Sequence, residues 1–169
     1  AFSLHRNRRK NRHHVDDAQL KLYSEILPKE FLHFGYFEDP GILPDDMSLN
    51  DVLDAQQRYA EIVLDHVIDQ SRPVLDIGCG MGAISAMLQR RGFTPVALTP
   101  DRFQIAHINQ KYPTIATVQT KFERLPVDDH RGKYGTLLNS ESLQYLKLDL
   151  VLPLIEQLLL PGGRWVVCD

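Results

Sequence analysis

From residue 73 onward, short apolar runs alternate with segments whose apolar positions recur every three or four residues. VLDI at 74–77, PVALT at 95–99, IATVQ at 115–119, YGTLLN at 134–139 and GRWVVC at 163–168 read as buried strands. Residues 83–91, about 101–112 and about 150–160 read as the helices between them. Gly92 stops the first and Pro113 closes the second, while Pro153 is expected near the first turn of the third. Upstream, Ser48 and Asp51 form a capping-box pattern ahead of Val52, Tyr59, Val63 and Val67. This predicts an amphipathic helix running to about Asp69. Strands and helices in strict alternation, with short connections, predict parallel strands joined by right-handed crossovers. The expected fold is therefore α/β, a doubly wound parallel sheet over residues 48–169.

Residues 1–47 follow no such rhythm and read as an N-terminal extension, part helical and part irregular. Leu20, Tyr23 and Leu27 recur at helical spacing, which predicts a short helix over 18–27. Pro28, Gly35, Pro40, Gly41 and Pro44 then punctuate a connection carrying the aromatic cluster Phe31, His33, Phe34, Tyr36 and Phe37.

Charge sharpens this division. The formal net charge is −3, but Arg6, Arg8, Arg9, Lys10 and Arg12 put five of the 19 basic residues into the first 14 positions. The remaining 14 face 22 acids, so the body is acidic and only the leading arm is basic. With no aromatic residues interleaved to stack on bases, the arm does not predict nucleic-acid binding. It reads as a solvated lead-in. Two cysteines, Cys79 and Cys168, make no disulfide framework, and neither they nor the seven histidines show metal-ligand spacing. No metal is expected. No apolar stretch has the length of a membrane span, and a cytoplasmic setting is the default expectation.

The chemistry gathers at VLDIGCGMG, residues 74–82. Ligands of such sheets lie beyond the carboxyl ends of the strands, where 76–82, 99–104, 121–124 and 139–145 converge. Gly78 and Gly80 let a ligand lie against the main chain, and the helix starting near Ala83 points free N–H groups the same way. That suits a carboxylate or a phosphate, and Asp76 suits an ammonium group on the same ligand. Gly78, Gly80 and Ala83 also satisfy the dinucleotide pattern G-x-G-x-x-G/A. Against a nicotinamide cofactor, Asp76 would oppose a pyrophosphate, and the end of the second strand carries Thr99 where NAD calls for an acid.

The VLDIGCGMG segment resembles the first motif of class I S-adenosylmethionine-dependent methyltransferases, and LLLPGGRWVV at 158–167 is similar to that family's turn before the fifth strand. TPDRFQIA at 99–106, HFGYF at 33–37 and NSESLQYL at 139–146 resemble motifs of the cyclopropane-fatty-acid-synthase-like, small-molecule subgroup. The resemblance implies a Rossmann-like methyltransferase fold binding S-adenosylmethionine. It places Thr99 and Gln104 on the ribose, Tyr36 over the methionine part, and Phe122 and Glu123 at the adenine. Asp76, Gly78, Cys79, Gly80 and Asn139 complete the cofactor set. Glu141 and Tyr145 are the implied catalytic pair, orienting a small-molecule or lipid-like acceptor or taking its proton. The sequence departs from the subgroup at Lys121, where an acid is common, and at Gln144–Tyr145, where the subgroup has Glu-His.

The family's sheet normally continues past the fifth strand, so the fold is expected to be truncated there. The exposed edge would be covered by a further C-terminal segment or by a second copy in a homo-oligomer. A cofactor-binding module without turnover and a nicotinamide-dependent oxidoreductase are the alternative functions.

Overall fold

A computed structural model describes residues 30–39 and 41–169. The helix expected over 18–27 and the basic arm lie outside the described residues. Five strands, β1 (Val74–Ile77), β2 (Pro95–Thr99), β3 (Ala116–Gln119), β4 (Tyr134–Ser140) and β5 (Leu159–Cys168), form one sheet in the order β3-β2-β1-β4-β5. Every neighbouring pair is parallel. The strand order reverses between β2 and β4 about the central β1, which opens a crevice at their carboxyl ends.

Among the described residues, five α-helices flank the sheet: α1 (Leu49–Asp65), α2 (Ala83–Arg90), α3 (Arg102–Lys111), the single turn α4 (Val127–His130) and α5 (Leu148–Leu158). The period-2 alternation along β1 sorts the core. Val74 packs with Tyr59, Val63 and Leu64 of α1 and with Ile84, Met87 and Leu88 of α2. Leu75 and Ile77 face the opposite side, among Phe122, Leu137, Val151, Ile155 and Leu158. The next inward position on the α2 side is Asp76, a carboxyl group only 2% exposed in an otherwise apolar layer.

Local chemistry explains the helix boundaries. The Ser48 side chain accepts from the Asp51 N–H while the Asp51 carboxylate accepts from the Ser48 N–H, so the capping box forms as expected. The helix it starts ends at Asp65, one turn before the expected Asp69. The helix expected over about 150–160, α5, differs more. It begins at Leu148, so Pro153 lies in its interior instead of its first turn. The bond that proline cannot donate would have gone to the carbonyl of Asp149, an exposed residue that water can satisfy. The last strand starts at Leu159, and its register against β4 shifts between Tyr134 and Thr136, where residues 161–163 bulge out.

Candidate active site

A cleft of about 610 Å³ opens at the carboxyl ends of β1, β2 and β4. Ten of the twelve residues singled out from sequence line it: Asp76, Gly78, Cys79, Gly80, Thr99, Gln104, Phe122, Glu123, Glu141 and Tyr145. Tyr36 and Asn139 do not. The Tyr36 N–H is donated to the Ala55 carbonyl at 2.9 Å, and Gly35 lies so close to α1 that a Cβ there would stand 2.5 Å from that of Ala55. This docking on α1 leaves the Tyr36 ring half-exposed and away from the cleft. Its neighbours Phe31, Leu32 and His33 line the cleft instead. Asn139 is fully buried and braces the site from behind, donating to Ser142 Oγ at 2.8 Å and accepting from Trp165 Nε1 at 2.9 Å.

The Asp76 carboxylate accepts a 2.6 Å hydrogen bond from Ser85 Oγ in the first turn of α2. Burial pushes its pKa up to about 6, against a smaller lowering by that hydroxyl. An acid held this way stores a demand for a nearby positive charge. Burial, with the charge of Asp76 as a second cause, also raises the Cys79 thiol well above its usual range, so it is no nucleophile.

The glycines do more for the protein than the sequence implies. Gly78, Gly80 and Gly82 all have positive φ, at +77°, +55° and +86°. A Cβ on Gly78 would stand 2.6 Å from Ser142 Cβ, so the bareness there admits the protein's own Ser142, which donates to the Ile77 carbonyl at 2.6 Å. The N–H groups of Gly78 and Cys79 are both donated to the Leu98 carbonyl, at 2.8 and 3.1 Å. Gly80 also lines the cleft, and there Leu32 Cδ1 lies 3.2 Å from where its Cβ would be.

At the end of β2, Thr99 Oγ1 donates to Gln104 Oε1 at 2.6 Å, and both residues are buried. Asp101 caps α3 by accepting from the Gln104 N–H at 2.9 Å, which fixes the helix that carries Gln104. Glu141 holds a left-handed backbone, φ +52°, rare for a residue with a Cβ. Burial and then the Asp169 carboxylate raise its pKa. Beyond it, the exposed Tyr145 ring stands at the rim.

Four contributors were not among the site residues expected from the sequence. Ser85 and Ser142 are single serines on the far sides of turns. The His33 ring lies tilted against that of Tyr59, centroids 4.3 Å apart, with Nδ1 2.5 Å from the Phe34 carbonyl. Burial lowers its pKa, so it is neutral near pH 7. Glu30, also on the cleft wall, is buried with φ +57°.

The methyltransferase-domain family matches residues 74–163, more than half of the chain. The chain belongs to that family. This bears out the resemblance to class I S-adenosylmethionine-dependent methyltransferases and the doubly wound fold. A fatty-acid O-methyltransferase of Mycolicibacterium smegmatis is 29% identical over 147 residues, covering 82% of this chain and 52% of that protein. An uncharacterized methyltransferase of Mycobacterium bovis is 27% identical over 94 residues, 56% of this chain and 38% of its own length. The methyltransferase chain thus spans about half the length, or less, of these curated relatives. Among solved structures, a putative sarcosine dimethylglycine methyltransferase from Galdieria sulphuraria superposes with TM-score 0.76 at 17% identity, over 89% of this chain and 59% of that one. A geranyl diphosphate C-methyltransferase from Streptomyces coelicolor, solved with Mg²⁺, geranyl diphosphate and S-adenosyl-L-homocysteine, gives 0.69 at 21% identity, over 81% and 58%. At such identities the structural likeness speaks for the fold. No helix among the described residues is long and apolar enough to cross a membrane.

Proposed function

We propose that this methyltransferase moves a methyl group from S-adenosylmethionine to a small-molecule or lipid-like acceptor. The observation that carries the reading is Asp76: a carboxyl group buried in the cleft wall, pushed up to about 6, on the same cleft lining as the bare main chain of Gly80. Such a group fits the ammonium end of an amino-acid-bearing cofactor and disfavours a pyrophosphate. The cleft volume of about 610 Å³ falls inside the ~300–1,000 Å³ usual for small-molecule sites.

When bound, the cofactor supplies an electrophilic methyl on a sulfonium. The chain's task is to hold, orient and keep dry. Asp76 neutralises the ammonium, and Thr99 with Gln104 exchange their mutual hydrogen bond for bonds to the ribose hydroxyls. Phe122 offers an apolar wall and Glu123 an acceptor for the adenine amino group. Glu141, held in a strained backbone at the inner end of the cleft, orients the acceptor or takes its proton, with Tyr145 at the rim. Alignment of the reacting atoms by such a frame can lower the barrier by ~7–11 kcal/mol. The M. smegmatis relative supports a lipid-like acceptor.

The test is transfer of labelled methyl to a panel of free fatty acids, prenyl diphosphates and small amines, with Glu141→Gln alongside. Label in one class, reduced at least tenfold by the substitution, supports the proposal. Binding of the cofactor with no label in any class returns the chain to a binding module without turnover.

A further inference from the structure

We infer that Glu30 is a positioning residue that latches residues 30–36 as a strap over the cofactor seat, and that this latch sets how fast the cofactor exchanges. The inference rests on the cofactor reading above.

The strap is fastened at both ends, but not alike. Toward its C-terminal end it is built into α1. The Gln56 side-chain amide donates to the His33 carbonyl at 2.8 Å, the Tyr36 N–H to the Ala55 carbonyl, and Gly35 fits against Ala55 with no room for a Cβ. These are buried or close-packed contacts. At the other end, among the described residues, the Glu30 side chain reaches α3. One Glu30 carboxylate oxygen lies 2.6 Å from Lys111 Nζ and 2.8 Å from His107 Nε2, and the other accepts from the Tyr112 hydroxyl at 2.9 Å. Glu30 is buried and its backbone is left-handed, a conformation that persists where surrounding contacts impose it. Its main partner, Lys111, is nearly half exposed. The α1 end thus has the character of a hinge and the α3 end that of a releasable catch.

What lies between them gives the catch a purpose. Leu32 rests on Gly80, a cleft-lining glycine of the β1 turn, and Phe31 and His33 continue the wall. A ligand laid against the Gly80 main chain must displace Leu32 or be covered by it. Either way the molecule passes the strap, and the latch ties that passage to α3, the helix that presents Gln104. Ionic contacts to a buried carboxylate are lost together when its charge is removed, because each donor relied on the same group.

The experiment has two readouts on three variants. Glu30→Gln keeps the shape and removes the charge. Lys111→Met removes the half-exposed partner and leaves the core untouched. Leu32→Ala keeps the latch and clears Gly80. Hydrogen–deuterium exchange of residues 31–36 is measured without ligand, and the dissociation rate of radiolabelled S-adenosylhomocysteine is measured by rapid filtration. In the latch variants, exchange is expected to speed at least tenfold and dissociation at least fivefold. In Leu32→Ala, dissociation speeds while exchange of residues 33–36 stays as in the wild type. Unchanged exchange in both latch variants overturns the latch, and faster exchange with an unchanged dissociation rate overturns its role in cofactor retention. If the wild type binds no S-adenosylhomocysteine, the cofactor reading fails, and the exchange arm still decides whether Glu30 latches the strap.

Discussion

Replacing Asp76 by Asn separates what this residue costs the fold from what it gives the site. Burial pushes its carboxyl up to about 6 in the folded chain from the ordinary 3.8. At 1.36 kcal/mol per unit, the ionised form costs the folded state on the order of 3 kcal/mol. The sign follows from proton linkage. Below pH 3.8 both folded and unfolded chains hold the proton and no penalty applies. As pH rises through 6 the unfolded chain has already released it, and the folded chain loses up to the full amount. Asn carries no charge and keeps an amide oxygen to accept from Ser85 Oγ. Less about 1 kcal/mol for a weaker bond to that hydroxyl, Asp76→Asn should be about 2 kcal/mol more stable than the wild type at pH 8 without ligand. It should lose that advantage by pH 4. Urea denaturation at the two pH values measures this. The same variant should bind S-adenosylhomocysteine at least tenfold more weakly, since a buried ammonium then faces no countercharge. A variant that is less stable at pH 8 yet binds as tightly as the wild type refutes the reasoning.

Three further outcomes are expected. Gly78→Ala must place a Cβ 2.6 Å from Ser142 at φ +77°, and thermal melts should show a loss of roughly 2–4 kcal/mol from the left-handed backbone and the overlap together. Thr99→Val leaves the buried Gln104 carbonyl without its 2.6 Å donor, which should cost about 1–3 kcal/mol in chemical denaturation and weaken ribose recognition about tenfold by calorimetry. Tyr36→Ala, away from the cleft, should change S-adenosylhomocysteine affinity by less than about twofold; a tenfold loss would show that the ring reaches the ligand.

Elements whose pattern is local were legible in the sequence. The first strand is four consecutive apolar-flanked positions ending at a glycine turn, and the helix after Ser48 announces its own cap, so both were placed within a residue at their starts. The start of α5 was misplaced because Pro153 suggests a first turn, whereas the packing of Val151, Ile155 and Leu158 draws Leu148–Leu150 into the helix. That the strand-end residues would converge on one cleft was legible for the same local reason. What escaped were groups defined by partners far along the chain. Glu30 meets Tyr112 across 82 residues and Ser142 meets Ile77 across 65, and no spacing rule encodes such meetings. The glycines show the opposite error. Their identity was plain, but at Gly78 the room is taken by a serine of the protein itself.

The most direct measurement is calorimetric titration of the wild-type chain with S-adenosylhomocysteine and, separately, with NADH, at pH 7.5 and at pH 5.5. The account predicts saturable binding of the sulfur cofactor only, weaker at pH 5.5, where Asp76 takes up its proton. Saturable binding of NADH with no heat from S-adenosylhomocysteine would contradict it.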